Sequence, residues 1–181
     1  ADDLLDRAPY VDLVAGPSSY RRLPDLIAQA SDEPALDVRL DRDEDYLELD
    51  PVRQEGTNAW VTIMRGCDKF CSFCIVPYVR GRERSVPAGE VLRQVEVAAS
   101  EGFREVTLLG QTVNSYNDGQ HDFADLLRMV ARIEGVRRIR FTSPHPSDFS
   151  EKLIDQIAGE DKVCGFVPLP VQSGSDEVLS A

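Results

Sequence analysis

From residue 60 onward the chain alternates apolar runs of strand length with apolar stripes of helical period, and this alternation restricts it to few folds. Trp60 to Met64 reads as a buried strand. Val91, Leu92, Val95, Ala98 and Ala99 then recur at helical spacing behind Pro87, a residue suited to the first turn of a helix. Glu105 to Leu109 is a second strand, Phe123, Leu126, Leu127 and Val130 mark a second helix, and Arg138 to Thr142 is a third strand. Leu153, Ile154 and Ile157 mark a third helix. Gly165 to Val171 is expected as a fourth strand, unusual for its two prolines, followed by the first turns of a fourth helix. Repeated strand–helix pairs imply right-handed crossovers around a parallel sheet, here an α/β partial barrel of about four β/α units.

The segments that follow the strands carry the chemistry. After the first come Cys67, Cys71 and Cys74, spaced C-x₃-C-x₂-C with Phe73 before the last. After the second comes Gly110-Gln111-Thr112-Val113-Asn114, after the third Ser143-Pro144-His145-Pro146, and after the fourth Gln172-Ser173-Gly174-Ser175. In a (β/α) barrel such ends converge on one face, where active sites are built. Three thiolates can hold three irons of a 4Fe-4S cluster and leave the fourth open to a small molecule. A structural metal site would instead be closed by a fourth ligand, and the candidates for that role, His121, His145 and Cys164, are distant in sequence. Zinc and free thiols remain as alternatives for the triplet.

Composition limits the functional classes. Residues 1–59 carry fifteen acidic and six basic side chains, net −9, and residues 60–181 carry seventeen and fourteen, net −3, of a total of −12. Within 65–84 the balance reverses, where Arg65, Lys69, Arg80, Arg82 and Arg84 outnumber Asp68 and Glu83. A chain this acidic is no nonspecific nucleic-acid binder, yet a local basic rim could grip phosphates. The competing role for those arginines is salt bridging that fixes their own loop. No run of eighteen apolar residues exists, so no membrane span is expected, and the N-terminus lacks the basic start and apolar stretch of a signal peptide. Four cysteines, three of them crowded, point to a reducing, cytoplasmic setting rather than a disulfide scaffold.

The front of the chain reads differently. Tyr10 to Ala15 is a short strand, Gly16-Pro17-Ser18-Ser19 a turn, and Leu23 to Ala30 an amphipathic helix, too little for a core of its own. Ser31 to Asn58 is rich in Asp and Glu and reads as a solvated linker, with a hint of a strand at Tyr46, Leu47 and Leu49.

The C-x₃-C-x-Phe-C motif resembles the signature of radical S-adenosylmethionine enzymes. Its surroundings, Ile63-Met64-Arg65-Gly66-Cys67 through Pro77-Tyr78 and on through Arg80-Gly81-Arg82-Glu83-Arg84-Ser85, look like the methylthiotransferases of that group. The blocks Leu108 to Tyr116, Arg140 to Pro146 and Leu169 to Ser175 agree, and together they are most similar to the MiaB type, which acts on isopentenyl-adenosine in tRNA. The resemblance implies that Cys67, Cys71 and Cys74 hold a 4Fe-4S cluster and that the methionine end of S-adenosylmethionine chelates the open iron. It implies no catalytic residue beyond these ligands. Phe73 would lie near the adenine, and Gln111, beside Gly110, would receive the methionine ammonium where many relatives have a carboxylate. Asn114 and Gln172 would be further cofactor contacts.

In the family, a 5′-deoxyadenosyl radical activates C2 of the adenine, where a methylthio group is installed. The implied partners are a tRNA anticodon stem-loop, with Arg80, Arg82 and Arg84 as its candidate contacts, and a reducing electron donor; the full-length parent is expected to be a cytoplasmic monomer without membrane attachment. Before Leu169-Pro170-Val171-Gln172 most relatives carry a histidine-containing stretch, whereas this chain reads Gly165-Phe166-Val167-Pro168. The N-terminal cysteine set of the family's second 4Fe-4S cluster and its C-terminal RNA-binding domain are not in this sequence, so a fragment is expected. Residues 1–30 would be the last strand and helix of an α/β N-terminal methylthiotransferase domain, 31–58 an acidic linker, and 59–181 the N-terminal part of the radical SAM domain. The fragment alone is not expected to complete the reaction. Two alternatives stay open: a relative that modifies a ribosomal-protein aspartate or threonylcarbamoyl-adenosine in tRNA, and a noncatalytic zinc-containing binding module closed by Cys164 or His145.

Overall fold

The computed structural model describes residues 2–41, 44, 51–53 and 55–180, and the expected strand at Tyr46, Leu47 and Leu49 lies outside them. The chain divides into two compact units, Ala1–Leu49 with Lys69–Gly81, and Asp50–Asp68 with Arg82–Ala181.

In the first unit, α1 (Asp2–Arg7) leads to β1 (Leu13–Ala15), α2 (Leu23–Ala30) and β2 (Ala35–Asp37). β1 and β2 pair in parallel, Leu13 with Ala35 through Ala15 with Asp37, and α2 is their crossover. Pro24 near the start of α2 costs nothing, because the first N–H groups of a helix have no intrahelical partner. β2 is an element the sequence reading assigned to the acidic linker. Its alternation is buried, half-buried, buried, with the carboxylate of Asp37 turned inward. That charge is tolerated because the guanidinium of Arg22 pairs with it and Arg39 Nε lies 3.2 Å away. The Ser19 hydroxyl donates to the Asp37 carbonyl at 2.8 Å. The unit also contains a short helix, α3 (Val76–Arg80), on the returning arm of the cysteine segment.

The second unit is built on β3 (Asn58–Thr62), which is followed by β4 (Met64–Arg65), β5 (Arg84–Ser85) and α4 (Ala88–Ser100). β6 (Glu105–Leu109), α5 (Phe123–Ala131), β7 (Arg138–Phe141), α6 (Glu151–Gly159) and α7 (Asp176–Leu179) complete it. β3, β6 and β7 form a parallel sheet in that order. β6, the middle strand, has Val106, Thr107 and Leu108 all buried, as expected for a strand covered on both faces. β3 lies at the edge and alternates instead, with Ala59 and Val61 buried and Trp60 58% exposed.

The expected strand Trp60–Met64 is therefore two strands. Ile63 N still donates to Leu109 O at 2.9 Å, but Met64 and Arg65 leave the sheet and pair antiparallel with Ser85 and Arg84. The apolar run was continuous because Ile63 and Met64 are both buried, each on a different ladder.

α4 buries Ala88, Val91, Val95 and Ala98, and α5 buries Phe123, Leu126, Leu127 and Val130, the stripes expected from their spacing. Full burial of each Leu or Phe contributes about 1.5–3 kcal/mol. Phe123 meets Phe141 of β7 edge to face, with ring centres 5.3 Å apart, fastening α5 to the sheet.

The expected fourth strand is a correction. Residues 165–171 have no regular secondary structure, and the parallel alignment beside β7 is a single bridge, Ile139 with Val163. Pro168 and Pro170 have no N–H to place in a ladder, and Leu169 N instead turns back to Val167 O at 3.0 Å. The architecture is thus a partial (β/α) barrel whose fourth strand is reduced to one bridge.

Candidate functional site at the strand ends

Three loops meet at the C-terminal ends of β3, β6 and β7. The first leaves β4 through Gly66, whose φ of +73° is in the left-handed region open to glycine, and returns through β5. The β4–β5 pairing closes its base, and a second clasp lies just beyond. The Asp68 carboxylate accepts two bonds from the Arg82 guanidinium, at 2.6 and 3.0 Å, and one from Glu83 N at 3.1 Å. Arg82, one of the three arginines considered for phosphate contacts, thus takes the loop-fixing role in this structure.

Cys67 is buried, and its Sγ lies 3.2 Å from the hydroxyl of Thr112, also buried, on the loop after β6. That loop has little freedom. Gly110 stands where an added Cβ would overlap the Met64 side chain, so the close approach of strand β4 requires glycine. Ser115 N and Oγ both donate to Thr112 O, at 3.0 and 2.7 Å. Ser115 Oγ is also 2.7 Å from a Glu83 carboxylate oxygen, which ties the loop to the returning arm of the first. Tyr116 donates its hydroxyl to Val86 O at 2.7 Å, and burial together with the nearby Asp118 carboxylate pushes its ionisation well above the ordinary range.

Between Gly110 and Thr112, the side-chain oxygen of Gln111 is buried without a hydrogen-bond partner. A buried acceptor left in this state costs free energy of about 1–3 kcal/mol, which a donor reaching it would offset. A methionine ammonium group is such a donor.

Asn114 is buried and clasps the third loop by its backbone. Its Nδ2 donates to His145 O at 2.8 Å and its Oδ1 accepts from His145 N at 2.7 Å. The amide foreseen as a cofactor contact therefore joins two loops to each other. His145 turns its ring toward its own loop, with Nδ1 2.7 Å from the Ser147 hydroxyl and accepting from Ser147 N at 3.2 Å. Just before it, Ser143 has a φ of +53° and is followed by Pro144, a strained pairing of the kind concentrated at functional sites.

The other foreseen residues are placed differently. Gln172 is exposed, its Nε2 3.4 Å from Pro170 O. Cys164 is half-buried beside β7, its N donating to Ile139 O at 2.9 Å. Arg84 is half-buried on β5. In the unit of Lys69–Gly81, Cys71 and Cys74 are half-buried free thiols, and Cys74 N donates to Cys71 O at 2.9 Å in a tight turn. Phe73 is 73% exposed at the apex of that turn. Phe70 has a φ of +47°, and its ring meets Tyr78 edge to face at 6.1 Å. Ile75 and Val79 are exposed and Arg80 closes α3 at the surface, so the segment presents apolar side chains to whatever approaches it.

Among the described residues no three His, Cys, Asp or Glu side chains converge on a single metal ion. A cluster makes a different demand, since each thiolate takes its own iron. Cys67 and the Gln111 oxygen in the second unit, and Cys71 and Cys74 in the first, are the donor types that a cluster with a bound amine-bearing ligand calls for. A cleft of about 950 Å³ lies elsewhere, at the N-terminal ends of β6 and β7 between α4 and α5, with Arg104, Arg132 and Arg137 in its walls. Those arginines stand near two helix C-termini, whose partial negative charge they complement. Sequence reasoning placed Thr112 in the block after β6 and counted Asp68 and Glu83 in the local charge balance, but gave none of them a role, because polar residues in loops carry no periodicity.

A family profile described as the Radical SAM superfamily matches residues 61–181. The chain is 46% identical to the tRNA-2-methylthio-N(6)-dimethylallyladenosine synthase of Vibrio cholerae, over 99% of this chain and 39% of that protein. It is 48% identical to the protein of the same name from Chloroherpeton thalassium, over 98% of this chain and 40% of the relative. It thus spans about two fifths of the length of these relatives. Among solved structures, the radical S-adenosylmethionine methyltransferase TsrM from Kitasatospora setae shares the fold with a TM-score of 0.56 at 22% identity, over 69% of this chain and 24% of that one.

Proposed function

The chain belongs to the radical SAM superfamily, and on that premise we propose that it is the cofactor-binding portion of a tRNA methylthiotransferase acting on isopentenyl-adenosine beside the anticodon. The observation that carries this reading is the buried, unpartnered Gln111 oxygen on the same turn as Thr112, whose hydroxyl touches Cys67. Cys67, Cys71 and Cys74 would hold a 4Fe-4S cluster, which when bound supplies the electron that cleaves S-adenosylmethionine to a 5′-deoxyadenosyl radical.

This chain's own residues position and shelter. Gln111 accepts from the methionine ammonium, Gly110 lets the strand-end loop close on Met64, and Asn114 fixes the His145 loop beside it. Phe73 offers an exposed ring for the adenine, and Gln172 is the proposed further contact to the cofactor. Arg80 and Arg84 are the proposed contacts to tRNA phosphates, with Arg82 bracing the loop through Asp68. The rest of the assignment is also a proposal: a cytoplasmic, monomeric parent, a separate electron donor, and a division into 1–30, 31–58 and 59–181. No helix among the described residues is long and apolar enough to cross a membrane.

Anaerobic reconstitution with iron and sulfide tests the cofactor. A brown protein whose 4Fe-4S absorption shifts on adding S-adenosylmethionine is expected, and a colourless stoichiometric zinc protein would refute the reading. For the substrate, the full-length parent is assayed on isopentenylated and unmodified tRNA, where equal activity on both would exclude isopentenyl-adenosine as the target.

A further inference from the structure

Resting on the reading of Cys67 as a cluster ligand, we propose that Thr112 raises the reduction potential of the cluster by donating a hydrogen bond to the Cys67 sulfur. Thr112 is 2% exposed and Cys67 8%, and the two side-chain heteroatoms lie 3.2 Å apart. Among the described residues the Thr112 hydroxyl has no other partner, so its proton is directed by this contact alone. A thiol and a hydroxyl can each donate. An iron-bound thiolate can only accept, so binding of the cluster fixes the direction from Thr112 to Cys67.

The geometry is held by groups remote from the sulfur. Ser115 fastens the Thr112 carbonyl twice, Asn114 fastens the next loop, and Gly110 permits the close seating of the turn against Met64. Burial matters as much as distance, because water does not compete for the sulfur and a hydrogen bond acts through a low local dielectric. Reduction adds negative charge, part of which resides on the thiolate sulfurs. A donor aimed at one of them therefore stabilises the reduced state more than the oxidised one, and hydrogen bonds to the sulfurs are among the controls on cluster potential. The consequence is an easier first electron transfer. Gln111 and Thr112, adjacent in one turn, would then act on the two cofactors separately, one on the ammonium and one on the cluster.

The experiment compares wild type with Thr112→Val, Thr112→Ala and Thr112→Ser, reconstituted anaerobically and titrated against a set potential with paramagnetic resonance detection. Iron content is measured first. Wild type that takes up no cluster refutes the ligand reading itself, independently of Thr112. With clusters loaded, valine and alanine are expected to lower the reduced-to-oxidised ratio at the wild-type midpoint about threefold to tenfold, the worth of one hydrogen bond. A tenfold change is 59 mV to more negative potential for one electron. Serine, which keeps the hydroxyl, is expected to stay near wild type. Unchanged midpoints in valine and alanine overturn the proposal, as does a serine midpoint displaced as far as that of valine. If valine does not fold, alanine decides. If neither holds a cluster that serine holds, the hydroxyl is needed for assembly rather than tuning, and the proposal fails.

Discussion

At the scale of single residues, the site depends on what neighbours leave undone. Gln111 has a buried oxygen with no partner, so replacing it with leucine removes an acceptor without breaking any bond of the free protein. Hydrogen bonds to a charged group contribute about 1.5–3 kcal/mol, so Gln111→Leu is expected to weaken S-adenosylmethionine binding roughly tenfold to a hundredfold. The cluster absorption should be intact while its response to the ligand moves to higher concentration, and an unchanged titration would remove Gln111 from the ammonium site. Gly110→Ala acts by the opposite route, since the new Cβ would overlap Met64, itself fully buried. Overpacking of this kind costs about 1–3 kcal/mol, to be read as a lower denaturant midpoint at constant slope. Gly110 and Gln111 stood out as candidates in the sequence because they follow a clear strand and occupy the place of a family motif. Thr112 did not, because nothing in a one-dimensional pattern brings its hydroxyl to a sulfur forty-five residues away.

At the scale of elements, α5 is the best-defined start in the molecule. Asp122 caps it by accepting from Asp125 N, the Asp125 side chain accepts from Asp122 N, and Lys152 of α6 bridges both carboxylates at 2.7 and 2.6 Å. Asp122→Ala should cost about 1 kcal/mol, almost all from the cap, since exposed ion pairs contribute little. The pH dependence has a definite sign. Lys152 holds the Asp125 carboxyl down to about 2 from its ordinary 3.8. A depressed folded value stabilises the protein above the unfolded value, so the contribution is whole above about pH 4 and is lost as pH falls from there toward 2. Asp125→Asn should flatten the fall in denaturant midpoint over that window, and an identical acid slope in both proteins would show that other carboxylates govern it. Elements with a strong period, α4, α5, β6 and β7, were readable because one face or both are buried. β2 was hidden because a run of three residues in an acid-rich segment has no visible alternation, and the apolar run 165–171 misled because its prolines cannot pair.

At the scale of the whole molecule, the sequence sets a stoichiometry. It has four cysteines, and the fourth, Cys164, lies beside β7, its backbone N–H bonded to Ile139 and its position in sequence ninety residues beyond Cys74. One three-thiolate set therefore exists in this chain, and one 4Fe-4S cluster, about four irons per polypeptide, is the most it should hold. Sulfur insertion asks for a sulfur source in addition to a radical, and nothing in the described residues supplies one: the three cysteines are engaged as ligands in the proposed site, and Cys164 is single. With a strong reductant and S-adenosylmethionine, the reconstituted protein is accordingly expected to release 5′-deoxyadenosine and methionine without forming a methylthiolated base on isopentenylated anticodon stem-loop. Cys164→Ala should leave iron content and cleavage unchanged, while Cys67→Ala, Cys71→Ala or Cys74→Ala should abolish cleavage. Chromatographic detection of both nucleosides decides the matter, because a methylthiolated product from this polypeptide, or about eight irons bound to it, would mean that sulfur delivery is built into the segment and that Cys164 has a part in it.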